Sequence, residues 1–526
     1  MAALRLSQRV SPPVAIIGAV AVLAVPILAG SHTGTAIVTG AVGGYFLGLL
    51  VIRIAANWAW LVYGLAAADL LIPEDNRYVL HGSGGLGFQL EPYRLIVTIV
   101  VIGWIAAMAV DPRVRARKTG FDGPLIFIWF AIIGSEAFNP ARVSPLESTV
   151  IKQLILMASL TLFVYAFVSV IRTRETIERL LAVIVACGVV VALATLLERT
   201  TQYNIFNHLH KFLPMFQFDS TAELLSLLRN GHFRAIASAG HPIELANDMA
   251  MITPLAVYLA IRKNRAWWAA VPLLLLANLS TGSRTGIIGL IAVLAVFIRL
   301  RPRQTLRCWP ALIPMLAVLQ LAMPGAISGT IQAFFPKGGL IAQQNETFAA
   351  HGQVQYASRL SRVGPQLHNV FEKHNELFGE GFGTRVVGRV SADTAVLPQT
   401  SSGQILDDQW LGNLLEVGIF GVFGWIWLYT RVVRRLGSRA GRERGSPDGW
   451  LPVALAASIT CYAISMYFYD ASGFLQATVL LYILLGCAGS LLWLPVSSRR
   501  SVTSEGDKSH NGHHPPRPPQ VAAGVA

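Results

Sequence analysis

The chain has 526 residues, of which 53% are hydrophobic and only 13% are charged. This composition excludes an ordinary soluble domain and indicates a polytopic membrane protein. The net charge of +14 does not require nucleic acid as a partner, because lysine and arginine collect in the cytoplasmic loops of membrane proteins.

Long apolar stretches recur from the N-terminus to the C-terminus. A helix needs roughly 20 such residues to cross the hydrocarbon core of a bilayer. We therefore predict an all-α polytopic membrane protein with about fourteen spans. The predicted spans are 14–30, 35–54, 56–72, 94–110, 124–138, 150–171, 177–197, 242–261, 266–280, 285–299, 310–326, 407–430, 451–469 and 474–494.

Basic residues fall in alternate loops between these spans. They cluster at 113–118, 172–179, 262–265, 299–307 and 431–444. Loops rich in lysine and arginine stay on the cytoplasmic side, so both termini are predicted to be cytoplasmic. The predicted location is the cytoplasmic (inner) membrane, with membrane lipids as surroundings.

The predicted topology divides the chain into five regions. They are a cytoplasmic N-terminus (1–13), a membrane domain with spans 1–11 (14–326), a large external loop (327–406), a second membrane domain with spans 12–14 (407–494) and a disordered cytoplasmic tail (495–526). The other external segments are 73–93, 139–149, 198–241 and the turn at 280–284.

Two arginines stand at span entrances on the predicted external face, Arg234 and Arg284. Arg284 begins a helix, where the macrodipole is already positive, so a cation is unfavourable there unless an anion compensates it. One hypothesis is a phosphate clamp made of arginine and helix N–H groups. The other is that these arginines reach to lipid headgroups.

A polar segment, 229–248, runs from a loop into a predicted span at His241-Pro242. His241, Glu244 and Asp248 share one helix face. Glu244 stands where a capping carboxylate belongs, so a cap, a positioning role and a catalytic role all stay open. Arg229 is a further candidate at the start of this segment.

Asp407 and Asp408 close the large loop and open the twelfth span. An aspartate before a helix is most often its N-cap. Two adjacent acids exceed what capping needs, so either could be a general base that deprotonates a hydroxyl group.

The histidine pairs 208/210 and 368/374 lack cysteine or carboxylate partners at metal-ligand spacing. No nucleotide-binding loop or nucleophile elbow is present either. We predict no metal site and no cofactor.

Four segments together resemble the O-antigen ligase and O-antigen polymerase superfamily. Segment 234–246 (RAIASAGHPIELA) is similar to the family pattern R-A-x-G-x-F-x-x-P-N-x-L-A, and 283–289 (SRTGIIG) to its S-R turn. Segment 379–383 (GEGFG) is similar to the G-x-G element of the external loop, and 407–421 (DDQWLGNLLEVGIFG) to H-N-x-x-L…E-x-G-x-x-G. The resemblance covers roughly residues 230–430.

This resemblance implies a function. Family members transfer a glycan from undecaprenyl pyrophosphate to an acceptor hydroxyl outside the membrane, without nucleotide or metal. It implies that Arg234 and Arg284 bind the pyrophosphate, with Asp407, Asp408 or Glu244 as catalytic acids. Partners would be the lipid-linked oligosaccharide, a glycan or lipid acceptor, and other polysaccharide assembly proteins.

The chain also departs from the family pattern. Asp407 stands where ligases carry histidine, which favours a surface polysaccharide polymerase, or a ligase that acts on another acceptor. Glycine, phenylalanine and asparagine of the loop pattern are replaced by Ala237, Ala239 and Ile243.

Two other classes of protein fit part of the pattern. A flippase or transporter of lipid-linked glycans would also need many spans, but transporters tend to carry polar residues near the midplane in both halves. A non-catalytic member of a polysaccharide assembly complex is the second rival.

Overall fold

The structure is a computed structural model that is mostly helical. It describes residues 58–73, 76–80, 88–90, 92–110, 114–211, 216–218, 228–229, 232–307, 317, 368, 375–385, 408–471 and 473–496. The predicted spans 14–30 and 35–54, most of 310–326 and the tail 497–526 lie outside these residues.

A helix occupies each predicted span in the described part of the chain. The helices are α1 (Trp58–Leu71), α2 (Pro92–Val110), α3 (Asp122–Phe138), α4 (Glu147–Val170), α5 (Arg174–Thr201), α6 (Pro242–Arg262), α7 (Ala270–Ser280), α8 (Arg284–Leu300), α9 (Gln409–Arg442), α10 (Trp450–Ser465) and α11 (Leu475–Trp493). Short helices lie at Pro140–Val143 and Pro302–Arg307, and 3-10 turns at Ser144–Leu146, Phe206–Lys211, Arg265–Ala269 and Pro447–Gly449.

In the described parts of the predicted loops 73–93 and 198–241, the chain forms five short strands. β1 (Asn76–Leu80) pairs in antiparallel fashion with β2 (Phe88–Leu90) and with β3 (Phe216–Phe218). β4 (Leu228–Arg229) pairs with β5 (His232–Phe233), with Arg229 opposite His232. The two predicted loops are therefore joined by a small sheet, which no apolar pattern in the sequence indicates.

Five helical stretches among the described residues are long and apolar enough to cross a membrane. They are Pro92–Ala109, Pro140–Val170, Arg174–Thr201, Gln409–Arg442 and Leu475–Trp493. Isoleucines on the outer faces of several helices are more than half exposed: Ile102, Ile126, Ile133, Ile155 and Ile291. An apolar surface of this kind requires an apolar surrounding.

Helix α6 lies at the centre of the bundle and packs against α5, α7, α8, α10 and α11. Most of its side chains are buried, including Glu244, Asn247 and Asp248. Helices α10 and α11 are also buried over most of their length. The polar segment that enters α6 is thus enclosed by protein, as buried ionisable groups require.

The helix ends fall into two groups, which we call the basic end and the site end. At the basic end, Arg174 lies 3.6 Å from Glu443 and 3.8 Å from Asp448, and the Arg262 Nε lies 2.6 Å from Asp448. These contacts join the loops after α4, α6 and α9. The site end comprises the segments 139–142, 201–204, 234–241, 281–284, 379–385 and 466–470, and its contacts are described below.

Candidate functional site

Arg234 and Arg284 come together on one turn at the site end. The Arg234 Nε donates to the carbonyl oxygen of Thr281 at 2.8 Å, and the Arg234 residue is 8% exposed. Thr281 belongs to the tight turn between α7 and α8, where Gly282 has a positive φ of 59°. Arg284 is the first residue of α8, three residues beyond that carbonyl, and is half-buried.

The loop that carries Arg234 is fixed by a buried carboxylate from α5. Glu198 accepts hydrogen bonds from the backbone N–H groups of Ile236 at 3.1 Å and Ala237 at 2.6 Å. The Asn204 amide donates to the Ala237 carbonyl at 2.8 Å. Ala237 has a φ of 48°, the left-handed region that favours glycine. Charge-assisted bonds to Glu198 hold the loop in this conformation.

Glu244 joins the N-termini of two helices. Its residue is 0% exposed, and one oxygen accepts from the Gly240 N–H at 3.1 Å. The other accepts from the Gln476 N–H at 3.0 Å and the Ala477 N–H at 3.4 Å. A carboxylate is favourable there because it faces the positive ends of α6 and α11. The structure therefore gives Glu244 a capping role.

The remaining candidates on α6 differ in their positions. The His241 Nδ1 accepts from the Ile243 N–H at 3.1 Å, so His241 is the N-cap of α6. Asp248 is 1% exposed and lies deeper in the bundle, beside Asn247, whose amide donates to the Tyr469 hydroxyl at 3.1 Å. The face predicted for His241, Glu244 and Asp248 thus points into protein.

Asp408 is the N-cap of α9, and it is half-buried. Its carboxylate accepts from the Leu411 N–H at 3.1 Å. The next backbone N–H, that of Gln409, donates to the carbonyls of Met466 at 2.8 Å and Tyr469 at 3.1 Å. These bonds fix the start of α9 against the end of α10. Asp407 lies outside the described residues, as does the side chain of Arg229.

A buried ion-pair cluster stands beside Asp408 and was not among the sequence predictions. Arg385 donates to both oxygens of Asp470, at 2.9 and 3.1 Å, and its Nε lies 3.7 Å from Glu416. All three residues are almost fully buried. Burial alone would lower the pKa of Arg385, but Asp470 and Glu416, with a smaller contribution from Asp408, raise it above its usual value. The guanidinium therefore stays charged.

One sequence signal could have identified this cluster. Glu416 and Asp470 are carboxylates inside or between apolar stretches, and such residues are functional candidates by default. Arg385 gives no comparable signal, because it lies in a long segment without apolar periodicity.

The glycine-rich segment 376–381 docks on a break in α9. Gly418 has a φ of 71° within the helix, which leaves neighbouring backbone groups without helical partners. The Glu380 N–H donates to the Leu415 carbonyl at 2.7 Å, and the Ile419 N–H donates to the Glu376 carbonyl at 2.8 Å. The Ser135 hydroxyl donates to the Glu416 carbonyl at 2.5 Å. The segment thus supplies hydrogen-bond partners to the broken turn of α9, and it positions Arg385, four residues further on, beside Glu416.

Two kinds of chemistry are therefore available at the site end. Arginines and helix N-termini suit an anion such as a phosphate. Carboxylates at Asp408, Asp470 and Glu416 suit proton transfer or the binding of hydroxyl groups. Among the described residues, no group of three or more His, Cys, Asp and Glu side chains could hold a metal ion.

Comparison with models of protein families finds no match for the chain. Comparison with curated protein sequences finds none either.

Proposed function

We propose that the protein is a membrane glycosyltransferase that uses a glycan on undecaprenyl pyrophosphate and extends a surface polysaccharide. The observation that carries this proposal is the meeting of Arg234 with the Thr281–Arg284 turn at the N-terminus of α8. A guanidinium group on this turn, with a second arginine at the N-terminus of the helix that follows, forms a good environment for a pyrophosphate.

The reaction is an inverting transfer without metal or nucleotide. The oxygen of an acceptor hydroxyl forms a bond to the anomeric carbon of the donor glycan. The bond from that carbon to the pyrophosphate oxygen breaks, and the electron pair leaves with the pyrophosphate. Arg234 and Arg284 stabilise the charge that develops there, an electrostatic contribution that is usually large.

The proton of the acceptor hydroxyl passes to a carboxylate. Asp408 suits this role better than Glu244, because Glu244 is fully buried and both of its oxygens already accept backbone N–H groups. Asp407 stays a candidate from the sequence.

The resemblance to the O-antigen ligase and polymerase superfamily gains support from two backbone positions. Ala237, which has a positive φ, stands at the glycine of the R-A-x-G pattern. Gly418, also at positive φ, is the glycine of the E-x-G pattern. The pattern's glycines thus correspond to conformations that glycine adopts without strain.

The proposed topology has about fourteen spans, both termini in the cytoplasm and the active site on the external face of the cytoplasmic membrane. Support comes from the basic end, where the contacts join loops that the charge pattern assigns to the cytoplasm. A ligase that transfers the glycan to a lipid or wall acceptor is the second candidate, favoured by the same arginines. Among the described residues, we find no contact that specifically supports a flippase.

Arg284→Ala tests the proposal. Loss of the cation should reduce chain growth by at least a hundredfold, of the order expected for a lost transition-state contact, while the protein stays folded and abundant. Arg303→Ala is the matched control, because Arg303 is exposed in the short helix that follows the opposite end of α8. Polysaccharide length on a gel and glycan transfer from purified lipid-linked donor are the measurements.

Normal chain growth by Arg284→Ala would contradict the clamp. With purified protein, longer glycan on the carrier indicates a polymerase, glycan on a new acceptor indicates a ligase, and no new bond favours a transporter or a non-catalytic partner.

A further inference from the structure

A cavity of about 100 Å³ lies between α4, α9, α10 and α11, beside the Arg385 cluster. It has room for several water molecules, and so for a few hydroxyl groups of a larger ligand. Its polar lining includes Arg385, Gln409, Asn413 and Glu416, and its apolar lining includes Leu156, Leu160 and Leu481. Three tyrosines, Tyr429, Tyr462 and Tyr482, complete the wall.

Asn413 presents a hydrogen-bond donor that lacks an acceptor within the described residues. Its residue is 5% exposed, and its Oδ1 accepts from the Gln409 Nε2 at 2.8 Å. The Nδ2 is buried, and no described residue accepts a hydrogen bond from it. Buried donors are almost always paired, so an orphan donor in a cavity wall indicates an absent oxygen.

Two of the tyrosines donate to weak acceptors in the cavity wall. The Tyr482 hydroxyl donates to the Met157 sulfur at 3.2 Å, and the Tyr429 hydroxyl donates to the Met466 sulfur at 3.4 Å. A thioether is a weak acceptor, so a ligand oxygen would compete well for both hydroxyls.

The charges of the lining select a neutral ligand. Arg385 is paired with Asp470 and lies 3.7 Å from Glu416, so its charge is already compensated. A phosphate would have to displace these carboxyl groups. An alkyl chain would leave the Asn413 amide without an acceptor, which is unfavourable in a buried place. A ring that carries several hydroxyl groups satisfies the amide, the tyrosines and a carboxylate together.

We infer that this cavity receives hydroxyl groups of a sugar ring of the acceptor glycan, with Asn413 and Tyr482 as hydrogen-bond donors to them. The assignment of the sugar to the acceptor rests on the proposed function. The donor pyrophosphate and the acceptor sugar then occupy different places at the site end, the Arg234–Arg284 turn and the cavity beside Arg385.

The test uses the full-length protein in lipid nanodiscs and two separate probes. The first is the oligosaccharide released by mild acid from the source cell's own lipid-linked glycans, observed by saturation-transfer NMR. The second is undecaprenyl pyrophosphate, observed by its displacement of a fluorescent analogue. Asn413→Leu should weaken oligosaccharide binding at least tenfold, and Tyr482→Phe several-fold, while both variants keep undecaprenyl pyrophosphate binding. Arg284→Ala should show the opposite pattern.

The outcomes separate this inference from the proposed function. Undiminished oligosaccharide binding by folded Asn413→Leu and Tyr482→Phe would overturn the assignment of the cavity. Wild-type protein that binds undecaprenyl pyrophosphate but not the oligosaccharide would overturn it too, and would leave the proposed function standing. Wild-type protein that fails to bind undecaprenyl pyrophosphate would contradict the proposed function itself.

Discussion

Asp408 and Glu244 are both carboxylates at helix N-termini, and their surroundings give them different capacities. Glu244 is enclosed and accepts three backbone N–H groups with its two oxygens. Asp408 is half-buried, and its carboxylate accepts from the Leu411 N–H. A general base needs an oxygen within reach of the acceptor hydroxyl. In the proposed reaction, the partly exposed Asp408 meets that requirement more readily than the fully buried Glu244.

Asp408→Asn separates capping from proton transfer. Asparagine caps a helix about as well as aspartate, so the variant should keep its melting temperature. Its carboxamide cannot take a proton, so chain growth should fall by about 10²-fold or more. Asp408→Ala serves as the control for the cap and should lose about 1 kcal/mol of stability. Full activity in Asp408→Asn would restrict Asp408 to capping.

Local spacing was enough to predict the capping alternatives for Glu244 and Asp408, because both depend on residues a few positions away. It could not show that Glu244 also caps α11, since Gln476 is remote in sequence. The pairing of Arg385 with Asp470 was beyond reach for the same reason. Contacts between segments that are remote in sequence depend on how the helices pack, which local sequence spacing does not predict.

At the scale of elements, α9 is the helix whose form differs most from its prediction. The apolar pattern predicted a span over 407–430, whereas the helix runs from Gln409 to Arg442. It continues past the apolar stretch because arginines can extend a helix at its C-terminal end, where they complement the dipole. The break at Gly418 gives no local signal, because a glycine within an apolar helix is common in membranes.

Gly418→Ala should prevent the docking of segment 376–381. A Cβ at Gly418 would overlap the backbone of Leu377, and alanine is strained at a φ of 71°. We expect a loss of more than about 3 kcal/mol of stability, typical of strain combined with a buried clash. Thermal unfolding in detergent and fluorescence-detected gel filtration would measure it.

Gly441→Ala is the matched control in the same helix. A Cβ at Gly441 meets open space, so this change should be neutral or stabilising by up to about 1 kcal/mol. Equal melting temperatures for the Gly418 and Gly441 variants would contradict the docking contact.

For the whole molecule, the helices from α3 to α11 run alternately between the site end and the basic end. The positions of these helices were predicted from hydropathy, and helices occupy them. The small sheet of β1, β2 and β3 was not predicted, because three- and five-residue strands carry too little alternation to be recognised.

Cysteine labelling would test the proposed orientation. Ser148 and Ser438 are both exposed, Ser148 in the first turn of α4 at the site end and Ser438 towards the basic end of α9. In a Cys308→Ser background, Ser148→Cys should react with a membrane-impermeant maleimide in intact cells, and Ser438→Cys only after permeabilisation. Cys187, Cys461 and Cys487 are buried and should not react with the maleimide. The reverse labelling pattern would contradict the proposed orientation and would indicate that the site end faces the cytoplasm.

The docking of segment 376–381 on α9 has a consequence for biosynthesis. The segment precedes α9 in the chain, so the ribosome synthesises the segment before it synthesises α9. Until the two meet, the carbonyls of Leu415 and Glu416 lack the donors that they have in the finished protein. Such groups are costly in lipid. The first half of α9 should therefore become stable in the membrane only when the segment, which is synthesised before it, has docked.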